Sequence, residues 1–164
     1  MMRPDITNAA HAVACYAHAP TARLWKSVMQ ILSYLKGMKN LGITYVRGSG
    51  LGLEVYAHAD YADKANDRRS VSGIAVVALG GTVVSHASKT QHVVSLSTSE
   101  AEYIAVGDGV KEALFVCAVL SFIAPETLGA SIKVLEDNQG AKLLIENPLS
   151  SARSKHRCAV SLHP

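Results

Sequence analysis

The sequence lacks a disulfide framework, a membrane span and a secretion signal. Its 164 residues include only three cysteines, an odd number spread along the chain, which favours reduced thiols. No apolar run approaches the roughly 20 residues that cross a bilayer. Residues 1–20 lack the successive charged, apolar and cleavage regions of a signal peptide. We therefore expect an intracellular protein, cytoplasmic or nuclear, with no membrane partner.

An excess of charge of either sign is also missing. Sixteen Lys and Arg face thirteen Asp and Glu, which gives a net charge of +3. This mild basic bias permits nucleic-acid binding without requiring it. The chain is 49% hydrophobic, which supplies a core for one ordinary domain, or for one domain with an appendage.

Residues 5–40 carry the pattern of helices. Pro20 divides this stretch, and apolar residues recur after it at three- and four-residue intervals. Thr21 is predicted to cap the second helix and Gly37 to end it. The string LGITYVRG, at 41–48, then predicts a strand.

The string GSGLG, at 48–52, is predicted to be a flexible linker. Its glycine spacing also suits a phosphate-binding loop, but no helix with a Lys-Ser/Thr pair follows it, so a linker is favoured. We therefore place a domain boundary here, between a helical segment over residues 1–50 and a second domain over residues 51–164.

The second domain is predicted to form a mixed sheet. The string LEVYAHAD, at 53–60, alternates so that His58 and Asp60 share its polar face. Two β-branched runs joined around Gly80 and Gly81 indicate a hairpin. A long helix, a short strand in SIKVLE and a last helix in NQGAKLLIEN follow. The order β-β-β-α-β-α predicts an α/β (α+β) fold with helices packed on a mixed sheet.

Two carboxylates in this domain are candidates for a metal site. Ser99 is predicted to cap a helix that runs to about Ser121, with Glu102 completing a capping box. Glu100 and Glu102 lie about 200° apart on that helix, so only one can face the sheet. Asp137 follows the SIKVLE strand, where an Asp is more often a helix cap. Carboxylates converging from separate elements repel each other unless a cation such as Mg²⁺ is present.

Two other chemistries are less favoured by the sequence. His11, Cys15 and His18 fall on one helical face, but one helix rarely supplies three tetrahedral zinc ligands. The serines of SLSTSE lack the strand-turn-helix glycine elbow of a nucleophilic serine, so a capping role is favoured for them.

The second domain contains, in this order, the strings DRRSVSG, SKTQHVVSLSTSEAEYIAV, KEAL, EDNQGA and SARSKH. Together they resemble the ribonuclease H domain of copia-type LTR retrotransposon Pol polyproteins. The upstream strings RPDI and YLKG, with the region of Trp25, resemble the end of the reverse transcriptase that precedes that domain. The resemblance covers nearly the whole chain up to His156.

This resemblance implies a ribonuclease H-like fold that cleaves the RNA of an RNA–DNA hybrid with Mg²⁺. It also implies that residues 1–50 are the C-terminal remnant of the reverse transcriptase, whose remaining portion in the same polyprotein would be a partner. The family's helix carboxylate is the second Glu of E-A-E-Y, here Glu102. Its strand-end carboxylate is the Asp of D-N-Q, here Asp137.

The family's first-strand ligand is altered in this chain. The position that carries a metal-binding Asp in the family carries His58 here. Asp60 points the same way but lies two residues further on, a displacement of about 7 Å, so it cannot replace the missing oxygen without a local shift. An imidazole suits Mn²⁺ better than Mg²⁺, so Mn²⁺ is an alternative cofactor.

The end of the chain departs from the family, which continues K-H-I-D-V-R-Y-H-F-I. One back-translation of the part I-D-V-R-Y-H-F-I, read from its third base, gives Arg-Cys-Ala-Val-Ser-Leu-His, as at residues 157–163. Residues 157–164 are therefore predicted to be frame-shifted. On this interpretation the domain is C-terminally truncated, and the last carboxylate, the final strand and the helices of the family are absent.

The expected function is therefore a retrotransposon ribonuclease H with Glu102, Asp137, Asp60 and His58 around its metal, impaired in this copy. The alternative is a catalytically dead nucleic-acid-binding or structural remnant, which the histidine at position 58 favours. A domesticated protein-interaction domain has no positive feature in the sequence.

Overall fold

The computed structural model describes residues 3–62, 67–78, 81–127, 129, 131–146 and 160–163. The chain divides into two compact units, residues 1–44 and residues 45–164. Among the described residues, no helix is both long enough and apolar enough to cross a membrane.

The first unit is helical, as predicted. A 3₁₀ turn at Pro4–Ile6 leads into α1, Thr7–Ala14, and α2 covers Ala22–Gly37. The Thr21 side chain caps α2 by accepting a hydrogen bond of 3.2 Å from the backbone N–H of Leu24. The predicted break, cap and end of this helix are therefore confirmed.

The strand predicted over 41–48 is wrong. These residues form irregular backbone and a turn, and Gly48 has a φ of +80°, outside the extended region. A β-rich composition predicts a strand only where a neighbouring strand supplies backbone partners. The Tyr45 hydroxyl donates a long-range hydrogen bond to the Val83 carbonyl, but the segment is not paired as a strand.

The second unit contains a mixed five-stranded sheet in the order β3-β2-β1-β4-β5. The pairs β3-β2 and β2-β1 are antiparallel, whereas β1-β4 and β4-β5 are parallel. This mixed sheet, together with the helices, confirms the predicted α/β architecture. The elements are β1 Leu53–Asp60, β2 Val71–Ala78, β3 Thr82–Thr90, α3 Thr98–Ile123, a 3₁₀ turn Pro125–Thr127, β4 Ile132–Leu135, α4 Gln139–Glu146 and β5 Val160–His163.

The core lies between the sheet and α3. On β1, Leu53 and Val55 are buried while Tyr56 and His58 are exposed, which confirms the predicted alternation. Side chains from the two central strands and α3 form one apolar cluster, which fixes the position of α3 across the sheet. Its buried members are Leu53, Val55, Val106, Ala113, Ile132 and Val134.

The start of α3 differs from the prediction. The cap is Ser97 rather than Ser99, and its hydroxyl accepts a hydrogen bond of 3.1 Å from the Glu100 N–H. The Glu100 carboxylate also reaches back and accepts a hydrogen bond of 2.7 Å from the N–H of Leu96, the residue before the cap. The sequence offers two serine–glutamate pairs with the same spacing, and only the path of the preceding loop selects between them. Glu102 is thereby left to face the sheet.

The end of the chain also differs from expectation. We expected the final strand to be absent, yet Val160–His163 pairs in parallel with β4 from Ile132↔Val160 to Leu135↔His163. A four-residue stretch that alternates apolar and polar residues can complete a sheet edge regardless of its genetic origin. The predicted frame shift remains a prediction, and residues 151–159 lie outside the described residues.

Candidate metal centre

Three elements meet where β4 ends. The parallel pairing between β1 and β4 ends at Tyr56↔Leu135, whereas β1 continues to Asp60. The last residues of β1 therefore have no strand partner on the side of the residues that follow β4. The first turns of α3 lie against this end of the sheet, since Ala101 packs with Ala59. One candidate ligand comes from each element. Ligand atoms of His58, Glu102 and Asp137 all lie within 4.8 Å of one another.

His58 and Glu102 are in direct contact. The Nδ1 atom of His58 is 2.9 Å from the Oε1 atom of Glu102. The glutamate side chain is 7% exposed, whereas the imidazole is 66% exposed. The other glutamate oxygen, Oε2, is buried and has no hydrogen-bond partner. A buried carboxylate oxygen without a partner carries a desolvation cost, which a bound cation would offset.

Asp60 lies outside this group of three. Its Oδ1 atom is 3.7 Å from the Nε2 atom of His58, on the side of the imidazole away from Glu102, and its side chain is 52% exposed. The spacing of two residues along a strand explains this position, because it moves a side chain by about 7 Å. A role for Asp60 as a ligand remains a prediction.

Glu136 is a second buried carboxylate, which the sequence analysis did not include in the site. It is 4% exposed, its Oε1 atom accepts a hydrogen bond of 2.9 Å from the Asn138 N–H, and its Oε2 atom is buried without a partner. The signal was present in the alternation of β4, where Ile132 and Val134 are buried. Extending that period by two residues places Glu136 on the same inward face.

Burial dominates the electrostatics of both glutamates. Burial raises the pKa of Glu102, the neighbouring His58 lowers it in part, and the negative charges of Glu136 and Asp137 raise it further. Burial likewise raises the pKa of Glu136, and the hydrogen bond from the Asn138 N–H opposes this rise. The surrounding protein therefore stabilises the charged forms of the two glutamates less well than water does.

A short hydrogen-bond chain holds the residues after β4 in place. The Asn138 side-chain oxygen caps α4 by accepting a hydrogen bond of 2.9 Å from the Ala141 N–H. The Ser99 hydroxyl donates to the same oxygen over 3.1 Å, which ties α4 to the start of α3. Gly140 allows this approach, because a Cβ atom there would collide with the Ser99 side chain. Ser99, predicted to be a helix cap, instead helps to position the candidate ligands.

A buried polar network fixes α3 from the other side. The Gln91 side-chain nitrogen donates to the Ser72 hydroxyl over 2.9 Å and to the Ala101 carbonyl over 2.8 Å. Its oxygen accepts a hydrogen bond of 2.9 Å from the Ser95 hydroxyl. Gln91 is 2% exposed, so these contacts replace water for every group involved and join β2 to the first turn of α3.

The less favoured zinc site finds little support. The Sγ atom of Cys15 lies 3.4 Å from the Nε2 atom of His11. Within the described part of the chain, however, the one group of three or more residues with metal-ligand geometry is His58, Glu102 and Asp137.

No family model matches the chain. The Pol polyprotein from transposon RE2 of Arabidopsis thaliana is 34% identical over 154 residues, which is 94% of this chain and 10% of that protein. The Pol polyprotein from transposon TNT 1-94 of Nicotiana tabacum is 36% identical over 157 residues, 94% of this chain and 11% of that protein. The chain thus spans about a tenth of the length of these relatives.

Two further comparisons are shorter or more distant. Secreted RxLR effector protein 161 of Plasmopara viticola is 34% identical over 113 residues, 69% of this chain and 79% of that protein. A crystal structure of LC11-RNase H1 in complex with an RNA/DNA hybrid is 12% identical, with a TM-score of 0.39, and the match covers 57% of this chain and 60% of that one. A likeness at that level carries no argument about this chain.

The relatives from the two plants match the chain from the helical segment into the domain that holds the metal centre, since each match covers 94% of it. Their shared description agrees with the resemblance carried by the strings around Glu102 and Asp137. Over most of its length, the chain is therefore homologous to a segment of copia-type, retrovirus-related Pol polyproteins from plant transposons.

Proposed function

We propose that this chain acts as the ribonuclease H domain of a retrotransposon Pol polyprotein and that its hydrolysis of RNA in RNA–DNA hybrids is weak in Mg²⁺. The observation that carries the proposal is the convergence of Glu102 and Asp137 with His58 within 4.8 Å, beside a buried carboxylate oxygen that has no partner. The family relationship supports the same assignment. The reverse-transcriptase portion of such a polyprotein would be its covalent partner.

The donor set fits a divalent cation. Two carboxylates supply the anionic oxygens that Mg²⁺ and Mn²⁺ prefer, and the unpartnered Oε2 atom of Glu102 is an open coordination position. The imidazole of His58 suits Mn²⁺ better than Mg²⁺. When bound, such an ion supplies positive charge that stabilises negative charge developing on the phosphate being hydrolysed.

Each residue of the cluster has a separate task in this proposal. Glu102 holds its carboxylate rigidly, because it lies in the second turn of a capped helix and is shielded from water. Asp137 presents its side chain on the exposed side, where a nucleic-acid backbone has access. His58 orients the Glu102 carboxylate through the contact of 2.9 Å. Asp60, on the outer side of the imidazole, is a third candidate acid that would need a local shift to reach the ion.

The charge of the cluster explains why we propose weak activity. The family's first-strand carboxylate is replaced by His58, which removes one negative charge from the set that holds the metal. Fewer anionic ligands lower the affinity for Mg²⁺ and loosen the position of the attacking water. We therefore expect Mn²⁺ to support more hydrolysis than Mg²⁺.

A second candidate function is a catalytically inactive domain that binds RNA–DNA hybrids. The specific observation in its favour is the contact between His58 and the Oε1 atom of Glu102. In the family, the carboxylate at this helix position binds the metal, and here His58 occupies one of its oxygens. A protonated imidazole in this position would compete with a cation for Glu102.

The test measures binding and cleavage of a labelled RNA–DNA hybrid by the purified chain in EDTA, Mg²⁺ and Mn²⁺. We expect hybrid binding in all three solutions, residual cleavage in Mn²⁺ and negligible cleavage in Mg²⁺. Asp137→Asn should abolish the cleavage, whereas the matched control Glu126→Gln, an exposed carboxylate after α3, should not change it. Binding without cleavage in either metal would favour the inactive alternative. Robust cleavage in Mg²⁺ would contradict the proposed impairment.

A further inference from the structure

The segment that joins β3 to α3 has its polar side chains buried and its apolar side chains at the surface. Gln91 and Ser95 are buried, whereas Val93 and Val94 are exposed and Leu96 is 87% exposed. Single apolar residues are common on protein surfaces, but here three of them occur close together in one short stretch. This patch makes residues 92–96 an apolar loop.

Hydrogen bonds hold the apolar loop in place. The Ser95 hydroxyl donates to the Gln91 side-chain oxygen over 2.9 Å, and the Leu96 N–H donates to the Glu100 carboxylate over 2.7 Å. The Gln91 side-chain nitrogen in turn donates to the Ala101 carbonyl over 2.8 Å. The Leu96 side chain is therefore held at the surface, because the residue before it is buried and its own N–H is bonded to α3.

The same contacts connect the apolar loop to the candidate metal centre. The Ala101 carbonyl, to which the loop is anchored, belongs to the residue directly before Glu102. The Ser99 hydroxyl, at the start of the same helix, donates over 3.1 Å to the side-chain oxygen of Asn138, the residue directly after Asp137. A nucleic acid whose phosphate lies at the metal centre would therefore have the apolar loop close to its backbone.

The charge of the surrounding segment indicates the kind of partner. The sequence contains no Asp or Glu over residues 68–99, although it contains two arginines and a lysine there. Arg69 is paired with Asp67 at 3.5 Å, whereas Arg68 and Lys89 are exposed. The surface next to the apolar loop is therefore positive, which favours an anionic partner.

Both exposed cations lie on strand ends that lead to the apolar loop. The Gln91 N–H donates to the Ser70 carbonyl over 2.9 Å, so the end of β3 lies beside the residues that follow Arg68, and Lys89 is two residues before Gln91. Cations beside apolar side chains suit the sugar–phosphate backbone of a nucleic acid. The cations contact phosphates, and the apolar groups contact sugar carbons and base edges in a groove. An apolar protein surface would gain nothing from the two cations.

We infer that the apolar loop contacts the RNA–DNA hybrid beside the metal centre. Its three exposed apolar side chains pack against sugar carbons in a groove of the hybrid, and Arg68 and Lys89 contact flanking phosphates. This contact rests on the proposed function, which supplies the hybrid as the substrate, and it adds a binding surface outside the metal centre. Part of the affinity for the hybrid is then independent of a metal ion.

The test measures the affinity of the full chain for a labelled RNA–DNA hybrid in EDTA, over a range of salt concentrations. Leu96→Ser should bind the hybrid about fivefold to tenfold more weakly than the parent, as expected for losing the burial of roughly half a leucine side chain. The salt dependence should not change in this variant. Lys89→Gln should instead reduce the slope of log affinity against log salt concentration by about one, because one phosphate contact is lost.

Two exposed residues of α3 supply matched controls. Phe122 is 88% exposed, almost the same fraction as Leu96, and Lys111 is an exposed lysine. Phe122→Ser and Lys111→Gln should bind the hybrid like the parent. The Tm of Leu96→Ser should equal that of the parent, because the substitution keeps the backbone N–H that bonds Glu100.

The outcomes separate this contact from the proposed function. Equal hybrid affinity of Leu96→Ser and the parent would overturn the inference even if the parent cleaves the hybrid, and absence of hybrid binding by the parent would overturn it as well. Sedimentation that showed self-association of the parent but not of Leu96→Ser, with unchanged hybrid affinity, would assign the loop to an interface between copies instead. Weaker binding by Leu96→Ser in a chain that cleaves no hybrid in Mg²⁺ or Mn²⁺ would support the contact and reject the proposed hydrolysis.

Discussion

Replacing His58 with aspartate adds a negative charge at the centre of the candidate site. In the metal-free protein, His58→Asp removes the contact of 2.9 Å with Glu102 and places a second negative charge beside it. Two unit charges at 4.8 Å, the outer limit for this cluster, repel by about 1 kcal/mol in water and by about 3 kcal/mol at an effective dielectric constant of 20. Because the side chain at position 58 is 66% exposed, the lower part of this range applies.

We therefore expect His58→Asp to lower the free energy of unfolding in EDTA by about 1–2 kcal/mol, or Tm by a few degrees. In Mg²⁺ the effect should reverse, since the added carboxylate binds the ion and ligand binding stabilises the folded state. We expect Mg²⁺ affinity to rise on the order of tenfold, equivalent to about 1.4 kcal/mol.

Thermal melting in EDTA and in saturating Mg²⁺, with calorimetric titration of Mg²⁺, checks this prediction. His18→Asp is the matched control, because His18 is an exposed residue of the other compact unit and should give the same small change in both solutions. The reasoning would be refuted if His58→Asp shifted Tm equally in EDTA and Mg²⁺ and left Mg²⁺ affinity unchanged. That result would place position 58 outside the ion's reach.

Three further predictions concern the surroundings of the site. Gly140→Ala should destabilise the domain by about 1–3 kcal/mol, because the new methyl group collides with the Ser99 side chain. In a denaturant titration, adding Ser99→Ala to this variant should recover part of the lost stability, and additive losses would contradict the contact. Gln91→Ala should cost about 2–4 kcal/mol, since it removes the partner of the buried Ser72 and Ser95 hydroxyls and one hydrogen bond to the Ala101 carbonyl. The exposed control Gln30→Ala should stay within about 0.5 kcal/mol in chemical unfolding. The last prediction concerns pH in EDTA: the pKa of Glu102 and that of Glu136 are both raised by burial, so protonation favours the folded state. Stability should therefore fall as pH rises from the ordinary carboxyl pKa through the raised values, and Glu136→Gln should flatten this slope; an unchanged slope would show that the glutamate is not buried in solution.

The sequence alone was sufficient for features that depend on neighbours along the chain. The alternation of β1 determined which side chains point into the core, and Thr21 determined where α2 begins. The motifs around Glu102 and Asp137, with the altered position His58, pointed to the three residues whose ligand atoms lie within 4.8 Å of one another. Each of these signals is contained within a few residues, where period and capping rules apply directly.

Only the tertiary structure decided features that depend on residues distant in the chain. Two serine–glutamate pairs could cap α3, and the approach of the preceding loop selected Ser97 with Glu100, which left Ser99 to bond Asn138. A strand-like composition at 41–48 found no strand to pair with, whereas the short stretch Val160–His163 did, beside β4. Glu136 is buried because α3 covers the face on which the period of β4 places it. Propensity and spacing describe what a segment can form, but backbone pairing and burial require a partner from elsewhere in the chain, and only the folded arrangement supplies that partner.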